Sequence, residues 1–79
     1  MKKVFDRKTI DINRYLQVVG NYSEVILIWN GSKSYNGKSI ISVINALLGK
    51  EQTKIEIIAD TDIAIRFIND LERINIKFE

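Results

Sequence analysis

At 79 residues, 46% hydrophobic and 28% charged, the chain is the size of one small domain spanning 1–79. Cysteine, histidine and proline are all absent, which excludes disulfides, thiolate metal sites and imidazole chemistry. The net charge of +2 divides unevenly: residues 1–40 hold seven basic and three acidic groups, residues 41–79 five and seven. That asymmetry points to an acidic partner surface more than to a nucleic-acid phosphate track, with a plain solvated mixed-charge surface as the alternative.

In chain order, "KKVFDR" predicts a short edge strand anchored by Val4 and Phe5. Asp11 is placed to cap a helix in which Ile12, Tyr15, Leu16 and Val19 share one face, stopped by Gly20 or Asn21. "EVILIW" is rich in β-branched residues and reads as a strand. Asn30-Gly31 is a favoured two-residue hairpin turn, with "SKSY" as the return strand. Ser39 is the expected cap of an apolar helix, Ile40 to Leu48, ended by Gly49. "KIEIIA" is a further strand. Asp60 and Thr61 offer caps for a final helix, where Ile63, Phe67, Leu71 and Ile74 recur at helical spacing.

The tail alternates, with Ile74, Ile76 and Phe78 interleaved by polar residues, which is strand periodicity and allows an added edge strand. The order β-α-β-β-α-β-α implies an α+β fold, an open-faced sandwich with helices on one face of the sheet. No run approaches the ~20 apolar residues of a membrane span, and no signal-peptide core is present, so a cytoplasmic location is expected. No linker, repeat or low-complexity segment interrupts the chain.

The stretch "NGKSII" admits three readings. "GKS" ends the Walker A pattern, but Gly31 and Gly37 are separated by five residues instead of four, and Gly31 is already wanted for the hairpin. The nucleotide reading fails on spacing. As a helix cap, Ser39 accepts a hydrogen bond from the amide of Ile41 or Ser42, stabilising the helix by about 1 kcal/mol. As a modifiable residue, it would place about two negative charges at the positive end of the helix dipole, beside Lys38.

Beyond it, Ile40, Val43 and Leu47 form one stripe, and Ile41, Ile44 and Leu48 a second. A helix on a sheet buries only one such stripe. The second is either tucked under a neighbouring helix or exposed to a partner.

Strand, "WNG" turn, strand, "KSIISV" helix, "GK", strand and final helix together resemble HPr, the phosphocarrier protein of the bacterial sugar phosphotransferase system. The resemblance is best over residues 24–74, and its most specific piece is Lys38-Ser39-Ile40-Ile41. It implies an antiparallel sheet of the HPr-like open-faced type. By it, Ser39 corresponds to the family's regulatory serine, phosphorylated by a dedicated kinase, and Ile41 and Ile44 to residues that contact partner proteins.

The chain departs from the family where phosphate is carried. "DRKTIDINR" lacks the "GLHARPA"-like histidine loop, and neither Lys8 nor Asp11 replaces an imidazole nucleophile. The resemblance therefore implies a regulatory or interaction protein without phosphocarrier activity. Its contact region is Lys38, Ile41, Ile44 and Leu48, and its partner a kinase, a regulator or a phosphotransferase-system component.

Two other classes compete. Trp29 and Tyr35 on the sheet, with Lys2, Lys3, Arg7, Lys8 and Lys33 nearby, could form a small nucleic-acid-binding surface. No aromatic-rich, glycine-bearing RNA-binding strand accompanies them, and strand aromatics commonly serve as cross-strand packing. An enzyme would have to use Asp60/Asp62 or Glu51/Glu56, acidic pairs placed where caps and surface charge are expected, so no catalytic residue is assigned. No metal or cofactor is expected. The protein is expected as a monomer or an edge-paired dimer.

Overall fold

The computed structural model describes residues 1–79. The elements are β1 (Lys2–Val4), a 3-10 turn (Arg7–Thr9), α1 (Ile12–Val19), β2 (Val25–Asn30), β3 (Lys33–Asn36), α2 (Ile40–Leu48), β4 (Thr53–Ile58) and α3 (Thr61–Arg73). The four strands form one sheet in the order β1-β4-β2-β3, every neighbouring pair antiparallel. β1 and β2 therefore run parallel with β4 between them, and β3 and β4 parallel with β2 between them. Two β-α-β units interleave to make a single open-faced sheet.

The alternation in β2 and β4 decides which side is the core. Ile26 and Ile28 of β2 and Ile55 and Ile57 of β4 are buried, while Val25 and Ile58 at the strand ends are exposed. Onto the buried face α1 brings Tyr15 and Val19, α2 brings Val43 and Ala46, and α3 brings Ala64, Phe67, Ile68 and Leu71. Phe5, Tyr22 and Ile76 close the periphery of this core. Burying an Ile, Leu or Phe side chain contributes about 1.5–3 kcal/mol each, so this single layer carries most of the stability available to so short a chain.

Two caps follow the expected chemistry. The Asp11 carboxylate accepts from the Arg14 amide at 3.2 Å, and Ser39 Oγ accepts from the Ser42 amide at 3.4 Å. Asp60 occupies the cap position of α3 but makes no side-chain cap bond. The first-turn Asp62 also meets the positive end of the helix dipole.

The hairpin is shifted by one residue from the Asn30-Gly31 expectation. Asn30 lies within β2 opposite Lys33, and the two-residue loop is Gly31-Ser32. The reason is inward: the Asn30 amide is buried, donating to Ala46 O at 3.0 Å and accepting from the Glu51 amide at 3.2 Å. Gly31 takes the positive φ of 58° the loop requires, where a side chain is strained.

The tail forms one bridge, Phe5 to Phe78, rather than a strand. Asn75, at φ 71°, reverses the chain after α3. Ile76 then drops into the core, and Glu79 N–H donates to Val4 O at 3.0 Å.

Candidate functional site: the outer face of α2

The loop leading into α2 is built on backbone and amide hydrogen bonds. Asn36 Oδ1 accepts from the Lys38 amide at 2.9 Å, and Asn36 O accepts from the Ser39 amide at 3.3 Å. Gly37 is buried, and its N–H donates to Ile26 O at 2.8 Å. A Cβ there would stand 2.7 Å from Ile26 Cγ2 and 2.8 Å from Tyr15 Oη. Glycine is required because the loop lies directly on β2 and on the buried tyrosine. This pins the start of α2 and leaves Ser39 half-buried, in extended backbone at φ −101°, ψ 123°.

From that start the helix turns Val43 and Ala46 inward and packs Leu47 at the rim of the core. Ile41 is 70% exposed, Ile44 39% and Leu48 75%, so the second stripe lies on the surface. Ile40 joins it at 48% exposure, against the expectation that it would share the buried stripe with Val43 and Leu47. The inward line runs through Val43, Ala46 and Leu47, which share a face at helical spacing, and Asn30 of β2 holds the Ala46 carbonyl beneath it. The result is four large aliphatic side chains on a nine-residue helix with no charged residue.

Lys38 is exposed as a residue, yet its ammonium donates to the carbonyl of Tyr22. It ties the loop before α2 to the α1–β2 turn and keeps two of its three N–H donors free for another acceptor.

The far end of α2 is closed by residues that the sequence did not single out for this role. Arg7 donates to the carbonyls of Leu47 (3.2 Å) and Gly49 through Nη1 and of Glu51 through Nη2. Asn30 sits against Gly49 so tightly that a Cβ on this glycine would approach its amide to within 2.3 Å. No spacing in the sequence announces either contact, since each spans a long chain separation.

The aromatics proposed as a stacking platform lie on opposite faces of the sheet. Trp29 pairs with Ser34 and Tyr35 with Ile28, so Trp29 is on the open face and Tyr35 packs at the edge of the core. Lys2 Nζ stands 3.8 Å from the Trp29 ring centroid, and Trp29 Nε1 donates to Glu56 Oε1 at 3.0 Å. Lys3 lies toward Phe78, and Arg7 is held on carbonyls. The basic residues do not converge on either aromatic face. Lys33 reaches only to within 5.9 Å of the Tyr35 ring centroid.

Two tyrosines have hydroxyls raised above the ordinary value. Burial alone raises Tyr15, whose Oη has no hydrogen-bond partner. At Tyr22 burial is the main cause, aided by a 2.6 Å hydrogen bond to Asp70 Oδ2 and opposed by Arg66. Neither faces a reactive group, and both serve packing.

No protein-family model matches the chain, and no curated protein matches it. Its structure is similar to the solved structure of a mycoplasma histidine-containing phosphocarrier protein, with a TM-score of 0.61. The match covers 87% of this chain and 85% of that one at 21% identity, so the likeness is one of fold: an HPr-like open-faced α+β sandwich.

Proposed function

We propose that the chain is an HPr-like interaction protein of the bacterial cytoplasm that binds protein partners through α2 and does not carry phosphate itself. The observation supporting this reading is the uncharged aliphatic face of Ile40, Ile41, Ile44 and Leu48, set directly after a half-buried capping serine. An apolar group of this kind on a small surface helix is characteristic of a contact site. With no histidine in the chain, the histidine for which the structural neighbour is named has no counterpart here to carry phosphate. Partners are a kinase, a regulator or another component of the sugar phosphotransferase system.

Ser39 is the regulatory residue in this reading. Its hydroxyl attacks the γ-phosphorus of ATP in the kinase site, ADP leaves and the hydroxyl proton is released. The product places about −1.5 to −2 charge at the N-terminus of α2, where the helix dipole favours an anion, so the fold survives while the potential beside the aliphatic face reverses. Incubation with an HPr serine kinase and ATP should label the wild type and leave Ser39→Ala unlabelled. Purified phosphotransferase components should bind the wild type and lose at least about tenfold affinity for Ile44→Glu, a cost of about 1.4 kcal/mol. Equal binding by a folded Ile44→Glu would contradict the reading.

A further inference from the structure

The Arg7–Thr9 turn is tied on both sides to segments distant in sequence. On one side, the Asp6 amide donates to Lys77 O at 2.9 Å, and the Lys77 amide donates to Thr9 Oγ1 at 3.0 Å. Thr9 Oγ1 in turn donates to Asp6 O at 2.7 Å, which closes the turn on itself. On the other side the Arg7 guanidinium spans the carbonyls of Leu47, Gly49 and Glu51.

α2 closes only part of that end itself: the Gly49 amide donates to Ala46 O at 3.4 Å, a carbonyl that Asn30 also holds, and the carbonyls of Leu47 and Gly49 are met by Arg7. Its last turn contains no basic residue, and Gly49 is extended at φ −67°, ψ 161° rather than left-handed. The C-terminal carbonyls of a helix lack intrahelical donors and need partners. A left-handed glycine commonly brings such partners, and here it does not. A planar guanidinium has five donors and a fixed charge, so one side chain can serve several carbonyls at the negative end of the dipole.

We propose that the Arg7 turn is a strap that fixes the last turn of α2, and that Lys77 of the tail sets the strap through Asp6 and Thr9. Leu48, 75% exposed, has little beneath it to hold it in place. Its position follows from the backbone of that turn, and so from Arg7. The strap gives Ile44 and Leu48 a single fixed presentation instead of a frayed end. Its functional meaning rests on α2 being the contact face, but the strap is a property of the chain alone.

Amide hydrogen exchange by NMR tests it, comparing Leu47, Leu48 and Gly49 with the amides of β2 and β4. In Arg7→Ala the last turn of α2 should lose at least about tenfold protection while the strands keep theirs, the pattern of a local opening. Arg7→Lys, which keeps the charge and loses the fork, should fall between. Thr9→Val removes the acceptor for the Lys77 amide, and should loosen the same turn in the wild type but add nothing in an Arg7→Ala background.

Unchanged protection at Leu47–Gly49, or an equal loss across the sheet, would overturn the proposal. If Arg7→Ala does not fold, Arg7→Lys and Thr9→Val are read by the same criterion. Exchange in the unbound protein does not depend on any partner, so the strap and the contact face fail or stand separately.

Discussion

Tyr15 and Gly37 show how closely single residues are fitted. The Tyr15 hydroxyl is buried without a partner and lies against the glycine that begins the α2 loop. An unsatisfied buried hydroxyl costs about 1–3 kcal/mol, so Tyr15→Phe should hold or raise stability, by up to about 1 kcal/mol, in urea unfolding at pH 7. Alkaline titration gives a second reading. The folded hydroxyl titrates above its ordinary value of 10.0. Below that pH both folded and unfolded states keep the proton and this group adds no pH dependence. Above it the unfolded chain loses the proton first, and stability falls as pH rises. The loss between pH 8 and pH 10.5 should be smaller in Tyr15→Phe than in the wild type. Gly37→Ala should destabilise by about 1–3 kcal/mol, because the added methyl meets Ile26 and Tyr15 in a filled space. Both residues were visible in the sequence only as a helix-face aromatic and a turn glycine. Their contact, which spans two elements, was not.

Among the elements, α2 was the most legible. Its bounds, its serine cap and its excess of aliphatic residues can all be read from "KSIISVINALLG", because a short helix declares itself through a cap, a period and a terminal glycine. The inward stripe through Val43 and Leu47 can be read there too, but the exposure of Ile40 cannot, nor can Asn30, which reaches from β2 to the carbonyl of the buried Ala46. The same residue explains the displaced hairpin: Asn-Gly is a strong turn signal, yet this Asn is needed inside the strand. Ser39→Ala should cost about 1 kcal/mol in thermal or urea unfolding, since it removes the bond to the Ser42 amide. Ser39→Asp should recover most of it, because an aspartate caps as well and its charge suits the helix N-terminus. The tail illustrates the opposite limit. Its period of two implied a strand, but only Phe78 pairs, while Ile76 is spent on the core.

At the scale of the molecule, the two interleaved β-α-β units and the C-terminal α3 put all three helices on one side and leave the other side of the sheet uncovered. On that open face Trp29 is occupied by Lys2 and Glu56, and the exposed aliphatics Val25 and Ile58 stand beside Lys54 and Glu56 of the same strand face. The larger uncharged aliphatic group is on the helix side, along α2, where the Asn36–Ser39 loop fixes one end and Arg7 the other. The β1 edge is met by Phe78, and the short β3 carries Lys33 at the opposite edge, a common guard against strand pairing. The alternation of strands and helices made this architecture legible, whereas the separation of Trp29 from Tyr35 followed only from the register of β2 and β3. The most direct test of the central claim is to map a bound phosphotransferase-system protein onto the isotope-labelled chain by NMR. Shift changes confined to Lys38–Lys50, and abolished by Ile44→Glu, are the predicted result; changes centred on Trp29, Lys54 and Ile58 across the open sheet would contradict it.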